Sequence, residues 1–412
     1  MNLKKIGLAA VAAVSLTTMS AGVASAVPPA TSTNTQETFN GRGSDTTFGA
    51  MQKVRNIFNG AEGCRPQASP PNALRTLWAD CLASAGLDTE NYDHDTGVDH
   101  DPFGWGSSRG VTSLCAQATL EGGVLVADKV PTELARSSRK PVSADCTGLT
   151  FNGFARDAII PINWRSLAGS PASADATLVP PRVAVSNLTQ TQLKDIFGNC
   201  TITTWGQLNG RGAADTTPID VWGIQSGSGT YQAWNEFLGT NVPAYPLGAN
   251  QCVTPGDPDG IGPLTNRTIQ ENDAQPILNL GPAVAGRSIW AMSFGPWQSS
   301  VNLKASSSLV RIDGLTAGST NILNGSFPSG RYLYEVSVTT GDPQSRIPAG
   351  RVNNHKAAAG FIEWLCRDST GHSSLTGKNY AGQIQNAINS EGFYPNVDTA
   401  VAGPTRCVNL NT

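Results

Sequence analysis

The sequence predicts an α/β fold divided into two domains. Short apolar stretches that suit buried strands alternate along the chain with segments whose apolar residues recur at helical spacing. The 412 residues exceed the roughly 100 to 200 that are usual for one domain. Hydrophobic residues make up 39% of the chain, and its 44 glycines and 26 prolines stay below the level of low-complexity disorder, so the chain is predicted to be globular.

The individual elements follow from apolar periodicity and from cap and turn residues. Thr189 is predicted to be the N-cap of a helix, and Pro161 is predicted to break a strand because proline cannot donate to a sheet ladder. The predicted elements, in order, are 51–59 (helix), 123–127 (strand), 157–163 (strand), 189–197 (helix), 219–223 (strand), 231–238 (helix), 332–339 (strand) and 354–366 (helix).

The first 26 residues have the pattern of a cleavable export signal. Lys4 and Lys5 precede an apolar run, and Ala24-Ser25-Ala26 is a small-residue cleavage site. Residues 27–37 are rich in Pro, Thr and Ser, which predicts a flexible leader. No cysteine sits at the cleavage point, because the first in the chain is Cys64, so we expect a secreted or periplasmic protein without a lipid anchor.

The charge balance argues against several classes of partner. Lys and Arg number 28 against 31 Asp and Glu, a net charge of −3, so neither nucleic acid nor an anionic membrane is an expected partner. An acidic cluster at 93–101 offers oxygen ligands for Ca²⁺ but lacks the spacing of a known calcium loop. A solvated surface is the more usual role of such a cluster, and no metal, cofactor or catalytic residue is predicted.

Eight cysteines in an exported chain predict disulfides. Spacings of the CxxC type are absent, which argues against zinc. We expect sequential pairing, although other connectivities stay open: Cys64 with Cys81, Cys115 with Cys146, Cys200 with Cys252, and Cys366 with Cys407.

Four short segments rich in Gly, Ser, Thr and Arg are the candidate binding loops. Glycine lets backbone N–H groups approach a ligand, hydroxyls donate in any rotamer, and a following helix adds its positive end, which together suit a tetrahedral oxyanion. The segment 226–230 is the clearest, because a predicted strand precedes it and a predicted helix follows. The four segments are 43–47 (GSDTT), 106–110 (GSSRG), 135–139 (ARSSR) and 226–230 (SGSGT).

The order of these segments resembles the substrate-binding proteins of phosphate ABC transporters. The segment 188–205 (LTQTQLKDIFGNCTITTW) is similar to a stretch of that family outside its binding loops. The resemblance implies a two-lobe periplasmic-binding-protein-like fold with two crossover strands as hinge: residues 38–157 and 333–412 form one lobe, and 158–332 the other. It further implies a monomer that binds phosphate or a similar oxyanion between the lobes, for uptake through a partner ABC permease.

The resemblance also implies the ligand residues. Two family positions differ: Ser138 stands where the family has an Asp that accepts the phosphate proton, and Ile224-Gln225 stand where it has an Arg. Arg139 is the first choice to supply the missing positive charge, with Arg109 second. The expected ligand residues are Thr46, Thr47, Ser107, Ser108, Ser138, Arg139, Ser228, Gly229 and Thr230.

Two other functions stay open from the sequence. Residues 106–110 match the G-x-S-x-G pattern of serine hydrolases with Ser108 as nucleophile, although the strand that should precede it is missing from the pattern. The other function is that of an extracellular adhesive protein without a small ligand. The sequence does not distinguish phosphate from sulfate.

Overall fold

The computed structural model describes residues 41–60, 92–93, 98–99, 106–120, 132–224, 227–239, 271–338, 380–396 and 407–411, with helical positions between 355 and 366. The predicted signal and leader, the strand at 123–127, the Cys64–Cys81 pair and most of the acidic cluster lie outside these residues.

The described chain is a mixed α/β structure, as predicted. Its strands are β1 Gly41–Gly43, β2 Tyr92–Asp93, β3 Val98–Asp99, β4 Leu134–Ser137, β5 Leu149–Asn163, β6 Asn187–Leu188, β7 Asp220–Trp222, β8 Ser288–Ser293, β9 Ser308–Leu309, β10 Arg311–Ile312, β11 Gly330–Val338, β12 Tyr394–Pro395 and β13 Val408–Asn411. Its α-helices are α1 Phe48–Gly60, α2 Ser107–Leu120, α3 Gln190–Phe197, α4 Gly229–Leu238, α5 Gln275–Asn279, α6 Pro282–Arg287, α7 Phe294–Ser299, α8 Val301–Ser306, α9 Ser319–Leu323 and α10 Ala381–Ser390, with 3₁₀ turns at Trp205–Gln207 and Gly212–Ala214.

The central sheet is organised around the long strand β5. The sheet order is β1-β4-β11-β5-β8-β7, and β9, β12 and β13 also pair with β5. The first part of β5 pairs antiparallel with β11, from Leu149 opposite Val338 to Ala158 opposite Gly330. The last part pairs antiparallel with β8, beginning with Ile159 opposite Ser293. One strand therefore joins two regions of the sheet.

The predicted break at Pro161 is wrong, because β5 runs through this residue to Asn163. Proline lacks a backbone N–H but keeps its carbonyl. The Pro161 carbonyl accepts a 2.9 Å hydrogen bond from the N–H of Val310. The strand also starts earlier than predicted, at Leu149.

The buried apolar side chains form separate clusters on either side of Ala158. The largest cluster contains residues from Ala158 to Phe327, including Trp164, Trp205 and Trp290, each fully buried. The two smaller clusters draw on residues before 158 and after 332. The predicted lobe boundaries fall at the same places along the chain and stay a prediction.

Local capping explains the helices next to the candidate loops. Thr189 caps α3 as predicted, since its side chain accepts from the N–H of Gln192 and the Gln192 side chain accepts from the N–H of Thr189. Ser228 caps α4, which ends at Gly239 with a left-handed backbone at φ 62°.

Two predicted disulfides, Cys115–Cys146 and Cys366–Cys407, are confirmed. Cys200 is also disulfide-bonded, and Cys252, its predicted partner, lies outside the described residues.

Replacing Cys366 and Cys407 together by serine should lower the free energy of unfolding by about 3 to 4 kcal/mol. The bridge spans 41 residues, and opening it restores that loop entropy to the unfolded chain. Urea unfolding of the double variant and of the parent protein measures the difference. A change below about 1 kcal/mol would contradict the expectation.

Candidate functional site

The N-terminus of α4 forms the centre of the site. The side-chain oxygen of Ser228 accepts hydrogen bonds from the N–H groups of Thr230 at 2.9 Å and Tyr231 at 3.1 Å. Ser228 and Thr230 are fully buried. The sequence folds this way because β7 leads into a short glycine-containing loop whose serine is a strong N-cap.

Thr46 joins this helix start from the loop after β1. Its Oγ1 lies 3.4 Å from Oγ1 of Thr230, a residue 184 positions away in the chain. The parallel pairing of β1 with β4 places Gly43 opposite Arg136, so the loops that follow both strands lie at the same edge of the sheet. Thr46 itself is 5% exposed.

Ser107 and Ser138 lie against the same helix start. The N–H of Ser138 donates to Oγ of Ser107 at 2.9 Å, and the two hydroxyls are 3.2 Å apart. A Cβ atom added at Gly229 would lie 2.3 Å from the Ser107 oxygen and 2.6 Å from the Ser138 oxygen. Only glycine lets the helix start approach this serine pair, so loops from four distant segments meet at one place.

A carboxylate that the sequence analysis missed lies among these donors. Oε1 of Glu271 accepts from the N–H of Thr46 at 3.1 Å and from its hydroxyl at 2.7 Å. Oε2 accepts from the hydroxyl of Ser228 and, at 3.4 Å, from the N–H of Thr230. Glu271 is 1% exposed, so the carboxylate is enclosed by this group of donors. We call the donors of Thr46, Ser228 and Thr230 the cradle.

Asn272 holds the turn that carries Glu271. Its backbone is left-handed at φ 73°, a conformation that asparagine tolerates better than most residues. Its side-chain oxygen accepts from the N–H of Ser293 at 3.1 Å, and its amide donates to Oγ1 of Thr46 at 3.2 Å. The turn is therefore tied both to the end of β8 and to the cradle.

Arg331 on β11 supplies a guanidinium to the site. Its Nη1 donates to Oγ1 of Thr230 at 2.9 Å and to the carbonyl of Ser138 at 3.0 Å. Its Nε and Nη2 donate to one oxygen of Asp157 at 3.1 and 2.8 Å. Asp157 is on β5 and also accepts from the hydroxyl of Ser293 at 2.6 Å and the N–H of Gly295 at 3.0 Å.

Arg331 also borders a cavity of 460 Å³, together with Phe237 of α4 and with Tyr332 and Tyr334 of β11. Small-molecule sites usually have volumes in this range. Burial raises the pKa of the Tyr334 phenol well above its usual value, so the phenol stays neutral at physiological pH. The guanidinium that contacts the cradle is thus next to a space that fits a small solute.

The other expected ligand residues form hydrogen bonds outside the cradle. The hydroxyl of Thr47 donates to the carbonyl of Ser44 at 3.4 Å. Arg139 forms two hydrogen bonds to Asp145, at 2.8 and 2.7 Å, so much of its charge is balanced there. Its Nε lies 3.4 Å from Oγ of Ser108. The structure does not describe the side chain of Arg109.

The hydroxyl of Ser108 has contacts that do not suit a nucleophile. It accepts from the side-chain amide of Gln232 and lies near the guanidinium of Arg139. A serine nucleophile needs a base to take its proton, and both neighbours are donors. Neither finding supports the hydrolase alternative.

Among the residues that the structure describes, no group of three or more His, Cys, Asp or Glu side chains has an arrangement that could hold a metal ion. In the same ranges, no helix combines the length and apolar character that a bilayer crossing requires.

The family follows from a comparison of the whole sequence. A family model described as a PBP (periplasmic-binding-protein) superfamily domain matches residues 105–369, more than half of the chain. The chain belongs to the PBP superfamily. The matched range contains α4, Glu271 and Arg331. No curated protein matches the chain.

Solved structures with a similar outline have low sequence identity to this PBP superfamily member. One is a Clostridium perfringens protein described as a phosphate ABC transporter substrate-binding protein with bound phosphate, with 18% identity, TM-score 0.45 and coverage of 87% of this chain and 99% of that one. A phosphate transport receptor from Vibrio cholerae has 13% identity, TM-score 0.45 and coverages of 86% and 99%. PstS from Borrelia burgdorferi has 16% identity, TM-score 0.41 and coverages of 87% and 98%.

Replacing Asp157 by alanine should lower the free energy of unfolding by about 3 kcal/mol, because the nearly buried guanidinium of Arg331 loses its charged partner. Ser293→Ala removes one hydrogen bond from the same carboxylate and should cost only about 1.5 kcal/mol. Urea unfolding of both variants tests the difference. Equal losses of unfolding free energy in the two variants would mean that the charge of Asp157 does not stabilise the nearly buried guanidinium of Arg331.

Proposed function

We propose that this protein binds a tetrahedral oxyanion, with phosphate as the favoured ligand, at the N-terminus of α4. One observation carries the proposal. The cradle holds a buried carboxylate through the N–H groups of Thr46 and Thr230 and the hydroxyls of Thr46 and Ser228. A group of donors that accommodates one anionic group has the chemistry to bind another with similar oxygen spacing.

The ligand set combines the cradle with neighbouring donors and one cation. Arg331 supplies positive charge next to Thr230, a role that the sequence analysis gave to Arg139. Thr47, Ser108 and Arg139 remain secondary candidates, and Arg139 would act through Ser108. The proposed primary ligands are Thr46, Ser107, Ser138, Ser228, Gly229, Thr230 and Arg331.

Binding would close two lobes formed by residues 38–157 with 333–412 and by residues 158–332. The separate apolar clusters support this division. The crossover strands β5 and β11 carry Asp157 and Arg331, whose ion pair reaches the cradle. Hinge closure would therefore bring together the two lobes and the charged groups of Asp157 and Arg331. The ligand would favour the closed state because it makes extra contacts there.

The biological role that we propose is uptake of phosphate with an ABC permease. Membership of the PBP superfamily favours solute binding without chemical conversion. The two described disulfides suit an oxidising compartment outside the cytoplasm, in agreement with the export signal predicted for residues 1–26. We further propose that the mature protein acts as a monomer, secreted or periplasmic.

Calorimetric titration with phosphate, sulfate and a neutral sugar tests the proposed function. Phosphate should bind to the wild-type protein, and the sugar should produce no heat of binding. Ser228→Ala should weaken phosphate binding about tenfold or more, since it removes a hydroxyl donor to an anion.

Ser300→Ala is the matched control for this variant. Ser300 caps α8 by accepting from the N–H of Leu303, so its loss removes the same kind of helix cap without touching the cradle. The control should bind phosphate as the parent does. Equal affinities of the Ser228 variant and the parent would argue against the cradle, and heat from the sugar alone would argue against an anion site.

A further inference from the structure

Glu271 occupies the donors that the proposed ligand needs. Its two carboxylate oxygens take one backbone N–H and one hydroxyl from Thr46, the hydroxyl of Ser228, and a longer contact from the N–H of Thr230. The side chain enters from a turn 41 residues beyond Thr230 and 225 beyond Thr46. None of the four loops found in the sequence contains it.

We propose that Glu271 is a built-in competitor for the oxyanion site, which must leave the cradle before a solute anion can bind. The inference rests on the proposed function and adds a residue that sets the affinity of the site for the oxyanion. The carboxylate also satisfies buried donors at the start of the helix, which would be costly if they were unpaired.

The carboxylate and the solute cannot share the cradle. The N–H and the hydroxyl of Thr46 and the hydroxyl of Ser228 each offer a single hydrogen, and Glu271 accepts all three. Two negative groups at hydrogen-bond distance from the same donors would also repel each other strongly in a buried site, where water screens little. Occupation by one anion therefore excludes the other.

The Glu271 side chain can move while the backbone next to it stays in place. Asn272, the residue after Glu271, is held by its hydrogen bonds with Ser293 and Thr46. Glutamate has three rotatable side-chain bonds, so its carboxylate can leave by changing rotamer. The solute can bind only to the fraction of molecules in which the cradle is open. If Glu271 occupies the cradle in about nine of ten molecules, the apparent affinity for the solute is about tenfold weaker.

Phosphate titration of Glu271→Gln tests the proposal. Glutamine has nearly the same shape but no charge, and charge-assisted hydrogen bonds are about twice as strong as neutral ones. At the occupancy of about nine in ten given above, the variant should therefore bind phosphate more tightly than the parent by up to about tenfold.

Asp273→Asn is the matched control. Asp273 is two residues from Glu271 and accepts from the N–H of Gln275, a contact that asparagine can keep. This variant removes one negative charge near the site without emptying the cradle, so its phosphate affinity should stay within about threefold of the parent.

Each outcome decides between the two proposals. Unchanged affinity in Glu271→Gln would overturn the competitor and leave phosphate binding intact. Weaker binding would also overturn it, and would indicate that the carboxylate instead accepts a proton from the bound solute. If neither phosphate nor sulfate binds to any form, the proposed function fails and the competitor fails with it.

A structure of the wild-type protein with phosphate provides a second test that does not depend on the folding of a variant. The carboxylate of Glu271 should lie beyond hydrogen-bond distance of Thr46 and Ser228. Phosphate bound next to α4 with both contacts of Glu271 retained would overturn the proposal.

Discussion

The buried N-terminus of α4 is the constraint on which the site depends. The first N–H groups of a helix have no acceptor within the helix, and the dipole adds partial positive charge at this end. Ser228 and Thr230 are fully buried, so water cannot readily supply the missing acceptors. Ser228 satisfies part of this need as N-cap, and the carboxylate of Glu271 satisfies more. An oxyanion would meet the same need from outside the chain.

Strands β5 and β11, which we propose as crossover strands, connect this helix start to the rest of the fold. β5 contributes Asp157 and β11 contributes Arg331, and one guanidinium contacts Asp157, Thr230 and the Ser138 carbonyl. These contacts join segments that belong to different apolar clusters. Since the ion pair is on the strands that would act as hinge, we expect anion binding and movement of the lobes to depend on each other.

The sequence was informative where the signal is local. Thr189 as N-cap of α3 and the loop before α4 follow from neighbouring residues, and the structure brings Thr46, Ser107, Ser138 and Ser228 to one place. Arg331 and Glu271 were missed because one looks like an ordinary strand residue and the other belongs to no binding loop. Their roles arise from contacts across more than 40 residues. The break predicted at Pro161 failed because its carbonyl still supports the sheet.

Anomalous diffraction from crystals grown with arsenate, a tetrahedral analogue of phosphate, is the most direct test of the central claim. We predict one arsenic peak beside the start of α4, with arsenate oxygens within about 3 Å of the Thr46 N–H, the Ser228 hydroxyl and the Thr230 N–H. A peak bound by other residues, or no peak at saturating arsenate, would contradict the account.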